Sequence, residues 1–247
     1  DPANPSLITF QSKTDHTDQM TTWANKRVKA LEKDDLCGFI FKSDSPSSGM
    51  IRVKVYSEKG MPRKVGVGIF ARQFMSHFPL IPVEDDGRLN NPTIRENFIV
   101  QIFTMKRWRD TLSKGLKMVH LIDFHTKNKL LILSQSQTNY RQMGKLVAKE
   151  KKLHIKKLYS QYQSLLMDAL RLKATIKKNI NVLQHAMGYF KKQLSMDEKQ
   201  ELLEIIELYR EGLVPLIVPV TLINHYVRKY QQPYLQKQTY LNPHPIA

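Results

Sequence analysis

The sequence predicts two regions of different fold class, an α/β region over residues 1–112 and an all-helical region over residues 113–247. The first region mixes short apolar runs with helical spacing, whereas helical spacing continues almost throughout the second. The charge changes at the same place. Residues 1–112 hold 17 basic and 13 acidic side chains, residues 113–192 hold 17 and 3, and residues 193–247 hold 5 and 6. We therefore expect the domain boundary between residues 112 and 113.

Short strands that alternate with helices are expected in the α/β region, as is typical of an α/β fold. Apolar runs and period-two alternation predict strands at residues 7–10, 37–41 and 51–56. The strand at 37–41 (CGFIF) is apolar throughout, which predicts burial on both faces. Helical spacing, a GVG segment and a first-turn proline predict helices at residues 15–32, 66–77 and 92–112. A tight turn is expected at residues 84–87 (EDDG).

Six helices are expected in the second region, near residues 116–133, 138–149, 155–173, 175–194, 196–211 and 219–230. The clearest helix start is Ser195 with Glu198 three residues later, which is a capping box. Gly212 supplies the positive φ that closes this helix. One apolar stripe recurs at steps of four and three along the preceding helix, at Ile176, Ile180, Leu183, Met187, Phe190 and Leu194. Such a stripe is typical of a helix packed in a bundle.

The composition excludes several classes of protein. One cysteine in 247 residues rules out an internal disulfide, a cysteine zinc site and a self-contained iron–sulfur site. No apolar run reaches the ~18 residues that a membrane span needs. The first ten residues lack the basic and then apolar pattern of a signal peptide. We expect a cytoplasmic protein with no membrane partner and no bound metal.

The basic segment over residues 113–192 suggests a polyanionic partner, because clustered cations attract phosphates by counterion release. A merely solvated helix surface is the alternative. One helix face opposite the apolar stripe combines cations, an amide and a ring that could contact phosphate and stack on a base: Lys178, Asn181, His185, Tyr189 and Lys192. This face is the candidate site for an anion or a nucleic acid.

Helix geometry predicts that one histidine of the helical region, His125, is buried. At 100° per residue, His125 shares its helix face with Met118, Leu121, Ile122 and Ile132, which predicts that it is at least half buried. It is either a core histidine bonded to backbone or a buried polar site for a ligand or a proton. His120 and His125 are five residues apart and no HExxH motif occurs, so a histidine zinc site is not expected.

A serine-rich loop follows the strand at residues 37–41. Ligands of α/β folds bind at the carboxyl ends of strands, where hydroxyls and free amides can hold an anion. The candidate ligand-binding residues are Ser45, Ser47, Ser48 and Gly49. A plain surface turn is the alternative. The GVG segment at residues 66–68 lacks the third glycine of a dinucleotide-binding fingerprint.

Two long stretches of the sequence resemble known families. The segments KSDSPSSGMIRVKVY and GVGIFARQFMSHFPLIPVEDDGRLNNPTIRENFI resemble the latter half of the thiouracil desulfidase family. From residue 126 onwards, YRQMGKLVA, NVLQHAMGYFKKQLS, YREGLVPLIVPVTLINHY and YLQKQTYLNPHP resemble the bacterial YbgA-like helical domain, a domain of unknown function. The resemblance implies a truncated Rossmann-like α/β half-domain over residues 1–112, followed by an all-helical bundle domain over residues 113–247.

The first resemblance implies an iron–sulfur cluster held by three cysteines, which takes sulfur from a thiolated pyrimidine. Two of these cysteines belong to a segment that would precede Asp1. The third is the cysteine of an SPSCG motif. In this sequence Ser48 occupies the position of that cysteine, and Cys37 lies outside the motif. A serine hydroxyl is a poor ligand for cluster iron. We therefore expect no iron–sulfur cofactor in this chain, and either a fragment of a longer protein or a degenerate member of the family.

Three functions follow as expectations. The first is an incomplete or degenerate desulfidase-like protein whose basic helical domain binds a nucleotide or RNA, with thiolated nucleotides among the candidates. The second is an iron–sulfur-dependent desulfidase whose cluster cysteines come from a missing N-terminal segment. The third is a non-catalytic scaffold that docks another protein.

Overall fold

A computed structural model of the chain describes residues 5–57, 60–148 and 154–245. The chain forms two compact units, Asp1–Lys106 and Arg107–Ala247. The division falls inside one helix, α3 (Pro92–Ser113). The first unit contains short strands and helices and the second is helical, so the predicted α/β plus all-α layout is confirmed.

The elements of the first unit, in chain order, are α1 (Thr17–Ala30), β1 (Phe39–Phe41), β2 (Val53–Tyr56), β3 (Pro62–Gly66), α2 (Ile69–His77), β4 (Val83–Asp85) and the start of α3 (Pro92–Ser113). β1 and β4 pair in parallel, with Phe41 opposite Asp85. β2 and β3 pair antiparallel as a separate hairpin. Parallel strands need a long crossover connection, and here that connection contains the hairpin and α2.

An aromatic core lies between β1 and α2. Phe39 and Phe41 point to the same side of the strand, where their rings contact Phe74 with centroids 4.3 Å and 5.5 Å away. Phe41 and Phe74 are fully buried, together with Ala24 and Val28 of α1. These contacts hold β1 in place, and with it the loop that follows the strand.

Several predicted elements of this unit are wrong. Residues 7–10 form only one isolated bridge, between Ile8 and Asp15. The strand predicted at 37–41 is not buried on both faces, because Ile40 points away from α2 and is 54% exposed. The predicted turn at residues 84–87 begins late, since Glu84 and Asp85 belong to β4. The predicted strand at 51–56 begins at Val53. Its partner β3 was not predicted, because Gly60 and Pro62 suggested an interruption of regular secondary structure.

The helices of the second unit, after the end of α3, are α4 (Met118–Gln135), α5 (Gln137–Ala148), α6 (Ile155–Arg171), α7 (Ile176–Gly188), α8 (Met196–Arg210), α9 (Ile217–Lys229) and α10 (Pro233–Gln236). Their core includes four fully buried large side chains, Trp108, Leu121, Tyr162 and Leu166. Among the described helices, none combines the length and the apolar character needed to cross a bilayer. The predicted last residue of the second helix, residue 149, lies outside the described residues.

Local signals predicted this unit unevenly. The capping box of Ser195 and Glu198 is confirmed, with both reciprocal hydrogen bonds formed, and Gly212 has a φ of +76°. The helix predicted at 175–194 is wrong at its end, because α7 stops at Gly188 and residues 189–193 form turns. The stripe that motivated it is also wrong at Ile176, which is 46% exposed, whereas Phe190 is buried from the turn.

Candidate functional site

The serine loop of the first unit satisfies its own polar groups. Ser45 Oγ accepts hydrogen bonds from the Ser48 amide at 3.2 Å and from the Ser48 hydroxyl at 3.0 Å. The Gly49 amide donates to the Ser45 carbonyl at 2.8 Å. Ser45, Ser47 and Ser48 are half buried and Gly49 is buried. The structure therefore brings all four predicted loop residues together in one compact turn.

This loop is fastened to the start of α2. The Phe70 amide donates to the Ser47 carbonyl and the Gly68 amide donates to the Gly49 carbonyl, both at 2.8 Å. Gly68 is needed for this approach, because a Cβ on it would lie 2.4 Å from the carbonyl carbon and oxygen of Ser47. The loop thus occupies one of the free amides at the N-terminus of the helix, a position where an anion could otherwise bind.

We expect Gly68→Ala to lower the free energy of unfolding by about 2 kcal/mol, because backbone atoms must move to admit the methyl group. Urea unfolding measures the loss, and hydrogen exchange at the Phe70 amide should become faster. Gly188→Ala is the matched control, since nothing lies within 4 Å of the added Cβ there. Equal stability of the two variants would contradict the close packing of loop and helix.

At the carboxyl edge of the parallel strand pair lies a carboxylate, Asp86, whose oxygens already accept several hydrogen bonds. Asp86 accepts hydrogen bonds from the Ser43 amide at 2.8 Å, the Gly87 amide at 2.7 Å and the Ser43 hydroxyl, and it pairs with Lys42 at 2.8 Å. Its hydrogen bonds from Lys42 and Ser43 hold the pKa of Asp86 well below its usual range. This edge is therefore a structural clamp that joins the serine loop to the end of β4.

A cleft in the helical unit has the features of a binding site. It consists of two adjoining cavities of about 290 Å³ and 560 Å³ that share Lys129, Tyr140 and Arg141 in their walls. The smaller cavity is completed by Leu130, Leu133, Gln137, His185, Tyr189 and Tyr234. The larger cavity is completed by Ile122, His125, Thr126, Gly144, Lys145, Val147 and Ala148. We call the two cavities together the α4/α5 cleft, after the helices that supply most of its walls.

The turn between α4 and α5 sets the two walls of the α4/α5 cleft. Ser136 lies between the helices and its Oγ accepts from the Asn139 amide at 3.2 Å, which begins α5 one residue after α4 ends. The Asn139 side chain donates to the Leu165 carbonyl of α6 at 3.0 Å. This short connection places Lys129 of α4 beside Arg141 of α5.

The smaller cavity carries a pair of stacked rings. Tyr189 and Tyr234 have centroids 4.6 Å apart and an interplanar angle of 17°. Tyr189 is 44% exposed. Burial, together with the neighbouring Tyr189 hydroxyl, raises the pKa of Tyr234, so this ring stays neutral. The pair offers a flat aromatic surface close to His185.

The larger cavity has a buried histidine in its wall. His125 is 4% exposed, which confirms the burial predicted from its helix face. Its Nδ1 lies 3.0 Å from the hydroxyl of the fully buried Tyr162. Burial and, to a smaller extent, the charge of Lys129 together lower the pKa of His125 to about 4, so the ring is neutral at pH 7.

The predicted anion face is divided by the structure. His185 and Tyr189 line the α4/α5 cleft, whereas Lys178, Asn181 and Lys192 are not among its lining residues. The Lys178 ammonium donates to the carbonyls of Gln135 and Lys173 at 2.7 Å and 3.0 Å, so it caps backbone instead. Asn181 is half buried and Lys192 is exposed beyond the end of α7. Tyr189 and Lys192 lie beyond the end of α7, so the five residues do not all lie on one helix face.

A glutamine from the C-terminal segment fixes the part of α4 that lines the cleft. Gln238 is 1% exposed, and its side-chain amide donates to the Thr126 carbonyl at 2.8 Å and accepts from the Leu130 amide at 3.3 Å. A regular helix pairs these two backbone groups with each other. The next residue, Thr239, donates its amide to the Lys127 carbonyl at 2.9 Å. Gln238 thus bridges the helical turn that carries Lys129.

Comparison with known proteins finds matches to both parts of the chain. Residues 129–245 match a family described as "Protein of unknown function (DUF1722)", and residues 3–86 match the family 2-thiouracil desulfurase. The uncharacterised protein YbgA of Escherichia coli (strain K12) is 30% identical over 158 residues, which are 64% of this chain and 94% of that protein. The chain belongs to the YbgA family. No solved structure matches it.

In this YbgA-family chain, the helical domain is joined to a 2-thiouracil desulfurase-like segment, as the sequence motifs predicted. The serine loop lies inside the desulfurase-like match. Every residue of the α4/α5 cleft from Lys129 onwards lies inside the DUF1722 match, whereas His125 and the other lining residues before Lys129 precede it. The cleft is therefore built largely from the YbgA-like part of the chain.

The residues of the desulfurase-like segment do not fit an iron–sulfur cluster. Within the described ranges, no group of three His, Cys, Asp or Glu side chains could hold a metal ion. Ser48 offers a hydroxyl that already donates to Ser45. Cys37 precedes β1, whereas the serine loop follows that strand, and its thiol donates to the Asp35 carbonyl at 3.6 Å. Cluster iron prefers thiolate sulfur, and this loop supplies only oxygen donors.

Sequence reasoning missed most of the residues that line the α4/α5 cleft of this YbgA-family protein. Lys129, Tyr140, Arg141, Lys145 and Tyr234 were not singled out. Lys129 could have been found, because it lies four residues after His125 and so shares its helix face. Tyr234 follows Tyr189 by 45 positions, and no local pattern links two residues at that separation.

Proposed function

We propose that the helical unit of this YbgA-family protein binds a nucleotide unit, free or within RNA, in the α4/α5 cleft. The observation that carries the proposal is that the wall of one cleft contains aromatic rings, and also cations that have no partner among the described residues. Cations bind phosphate, whereas rings stack on bases, so a site that has both suits a nucleotide. Cavities of this size are typical of small-ligand sites.

The cations of the cleft are available to a ligand. Within the described ranges, the side chains of Lys129, Arg141 and Lys145 form no ion pair and no hydrogen bond. None of the described lining residues is an aspartate or a glutamate. On the same helix, Lys127 is paired with Asp123 at 2.7 Å. Positive charge is therefore left uncompensated in the cleft, and an anion would neutralise it.

In this proposal, the desulfurase-like segment contributes to ligand binding or to the structure. It does not remove sulfur by means of an iron–sulfur cluster bound to the described residues. Its serine loop satisfies its hydroxyls internally, and the donor set around Ser48 is wrong for iron. Thiolated nucleotides remain candidate ligands of the cleft, since a phosphate and a stacked ring are common to all nucleotides.

Binding of a fluorescent oligouridylate across a salt series tests the proposal. We expect binding at low salt that weakens steeply as salt rises, because phosphate contacts release counterions. The double variant Lys129→Ala/Arg141→Ala should bind about tenfold more weakly, and its slope of log affinity against log salt should fall by roughly 1.4, at ~0.7 per lost contact with a single strand.

Lys177→Ala/Lys199→Ala is the matched control, because it removes the same charge from exposed positions outside the cleft. It should bind nearly as tightly as the parent protein. Absence of binding at low salt would reject the proposal. Equal weakening in both double variants would show that binding depends on net charge and not on the cleft.

A further inference from the structure

His125 is placed to contact a ligand in the larger cavity of the α4/α5 cleft. The side chain is 96% buried, since only 4% of it is exposed, yet it lines that cavity. Its Nδ1 is occupied by Tyr162, whereas Nε2 has no hydrogen-bond partner among the described residues. Nε2 lies 4.0 Å from the position of a Cβ on Gly144. The absence of a side chain at Gly144 leaves space beside this nitrogen.

The hydroxyl of Tyr162 decides which nitrogen of His125 carries the proton. Tyr162 is fully buried, and His125 Nδ1 is the one partner that its hydroxyl has in the described part of the chain. A buried hydroxyl that does not donate its hydrogen lowers the stability of the fold by about 1–3 kcal/mol. We therefore infer that Tyr162 donates to Nδ1. A neutral imidazole that accepts at Nδ1 carries its hydrogen on Nε2.

We propose that the Nε2–H of His125, held in this tautomer by Tyr162, donates a hydrogen bond to the base of the bound nucleotide and selects bases with a carbonyl oxygen at position 4 of a pyrimidine or position 6 of a purine. This inference rests on the proposed function of the cleft. Uracil presents the O4 oxygen and guanine the O6 oxygen, which both accept a hydrogen bond. Cytosine and adenine present an amino group at the equivalent position, and two donors would then face each other.

His125 is suited to contact a base, whereas the cations of the cleft, Lys145 among them, are suited to contact a phosphate. The same cavity is lined by Ile122, Val147 and Ala148, whose side chains are apolar. Burial and the nearby Lys129 keep the imidazole neutral, so its pull on a phosphate is weak. The ammonium and guanidinium groups of Lys129 and Arg141 line both cavities. A nucleotide in this cavity would therefore place its base near His125 and the ring of Tyr140, which lines both cavities, and its phosphate near these two cations. The stacked rings of the smaller cavity are then left for a neighbouring base of an RNA strand.

Binding of uridine and cytidine 5′-monophosphates, measured by isothermal titration calorimetry, tests the inference, because the two pyrimidines differ at one group of the ring edge. We expect the uridine nucleotide to bind about tenfold more tightly. Oligouridylate and oligocytidylate RNA form a second arm, which distinguishes a free nucleotide from an RNA strand as the source of the base. The preference for uracil is expected in whichever arm binds.

Two variants separate the hydrogen bond from the fold. In His125→Asn the side-chain oxygen stands close to the position of Nδ1, so it still accepts from Tyr162, but the donor toward the cleft is lost. We expect the uracil preference to fall to about one. Tyr162→Phe keeps the buried ring and frees the tautomer of His125, so the preference should also decrease. Circular dichroism checks that both variants fold.

Nitrogen-15 NMR of the imidazole provides a measurement that needs neither a ligand nor a variant. We expect the His125 proton on Nε2, and a proton on Nδ1 would overturn the inference. Equal binding of uridine and cytidine nucleotides by the parent protein would overturn it as well, with the proposed function unaffected. Binding of neither nucleotide and neither RNA would instead reject the proposed function, and the inference with it.

Discussion

Replacing Gln238 with alanine is expected to lower the free energy of unfolding of the helical unit by about 3–4 kcal/mol. Gln238 is 1% exposed, and its two hydrogen bonds satisfy the Thr126 carbonyl and the Leu130 amide of α4. Leaving a buried polar group without a partner costs about 1–3 kcal/mol, and the variant would remove the side-chain partner of two such groups. Loss of the buried methylene groups adds to this cost.

Trp108 reports this unfolding, because it is fully buried in the helical unit. Urea unfolding followed by fluorescence in a Trp23→Phe background isolates its signal from the second tryptophan of the chain. Gln236→Ala is the control, since Gln236 is exposed and the one partner of its side-chain amide among the described residues is Gln231, at 3.3 Å. Gln238→Met keeps most of the side-chain volume and removes the hydrogen bonds. If Gln238→Met were as stable as the parent protein, the two hydrogen bonds from Gln238 to α4 would contribute nothing to the free energy of unfolding.

The stability of the helical unit is expected to fall by about 3 kcal/mol through His125 alone as the pH is lowered from 7 to 4. Burial, with a smaller contribution from the charge of Lys129, lowers the pKa of His125 from 6.5 to about 4. Between these values the unfolded chain binds a proton that the folded chain does not, so acid favours unfolding. A shift of one pKa unit corresponds to about 1.4 kcal/mol. The contribution is complete above pH 6.5 and is lost as the pH approaches 4.

His125→Asn removes this titration and should flatten the dependence of stability on pH over that interval. Urea unfolding at pH 7 and pH 4, again followed through Trp108, measures the difference between parent and variant. Carboxylates also titrate in this range, but they do so in both proteins and cancel in the comparison. His185→Asn is the control, because His185 is exposed. A parent protein and a His125→Asn variant with the same pH dependence would show that His125 is not protonated on unfolding.

Local patterns predicted the parts of the fold that depend on neighbours in sequence. The capping box of Ser195 and Glu198, the positive φ of Gly212 and the burial of His125 all follow from spacing within one or two helical turns. The end of α7 at Gly188 could not be predicted in this way. Phe190 continues the apolar stripe by position, yet it is buried from a turn, because packing and not helical periodicity places its ring in the core.

The family membership, the α/β plus all-α layout and the basic character of residues 113–192 were determined by the sequence alone. Composition and local periodicity are properties of short windows of sequence, so they can be determined without knowledge of the fold. The α4/α5 cleft was decided only by the tertiary structure. It joins Lys129, Arg141, His185 and Tyr234, which are far apart in the chain. The bridge from Gln238 to α4 spans 112 positions to Thr126, and only the packing of the C-terminal segment against that helix brings its two ends together.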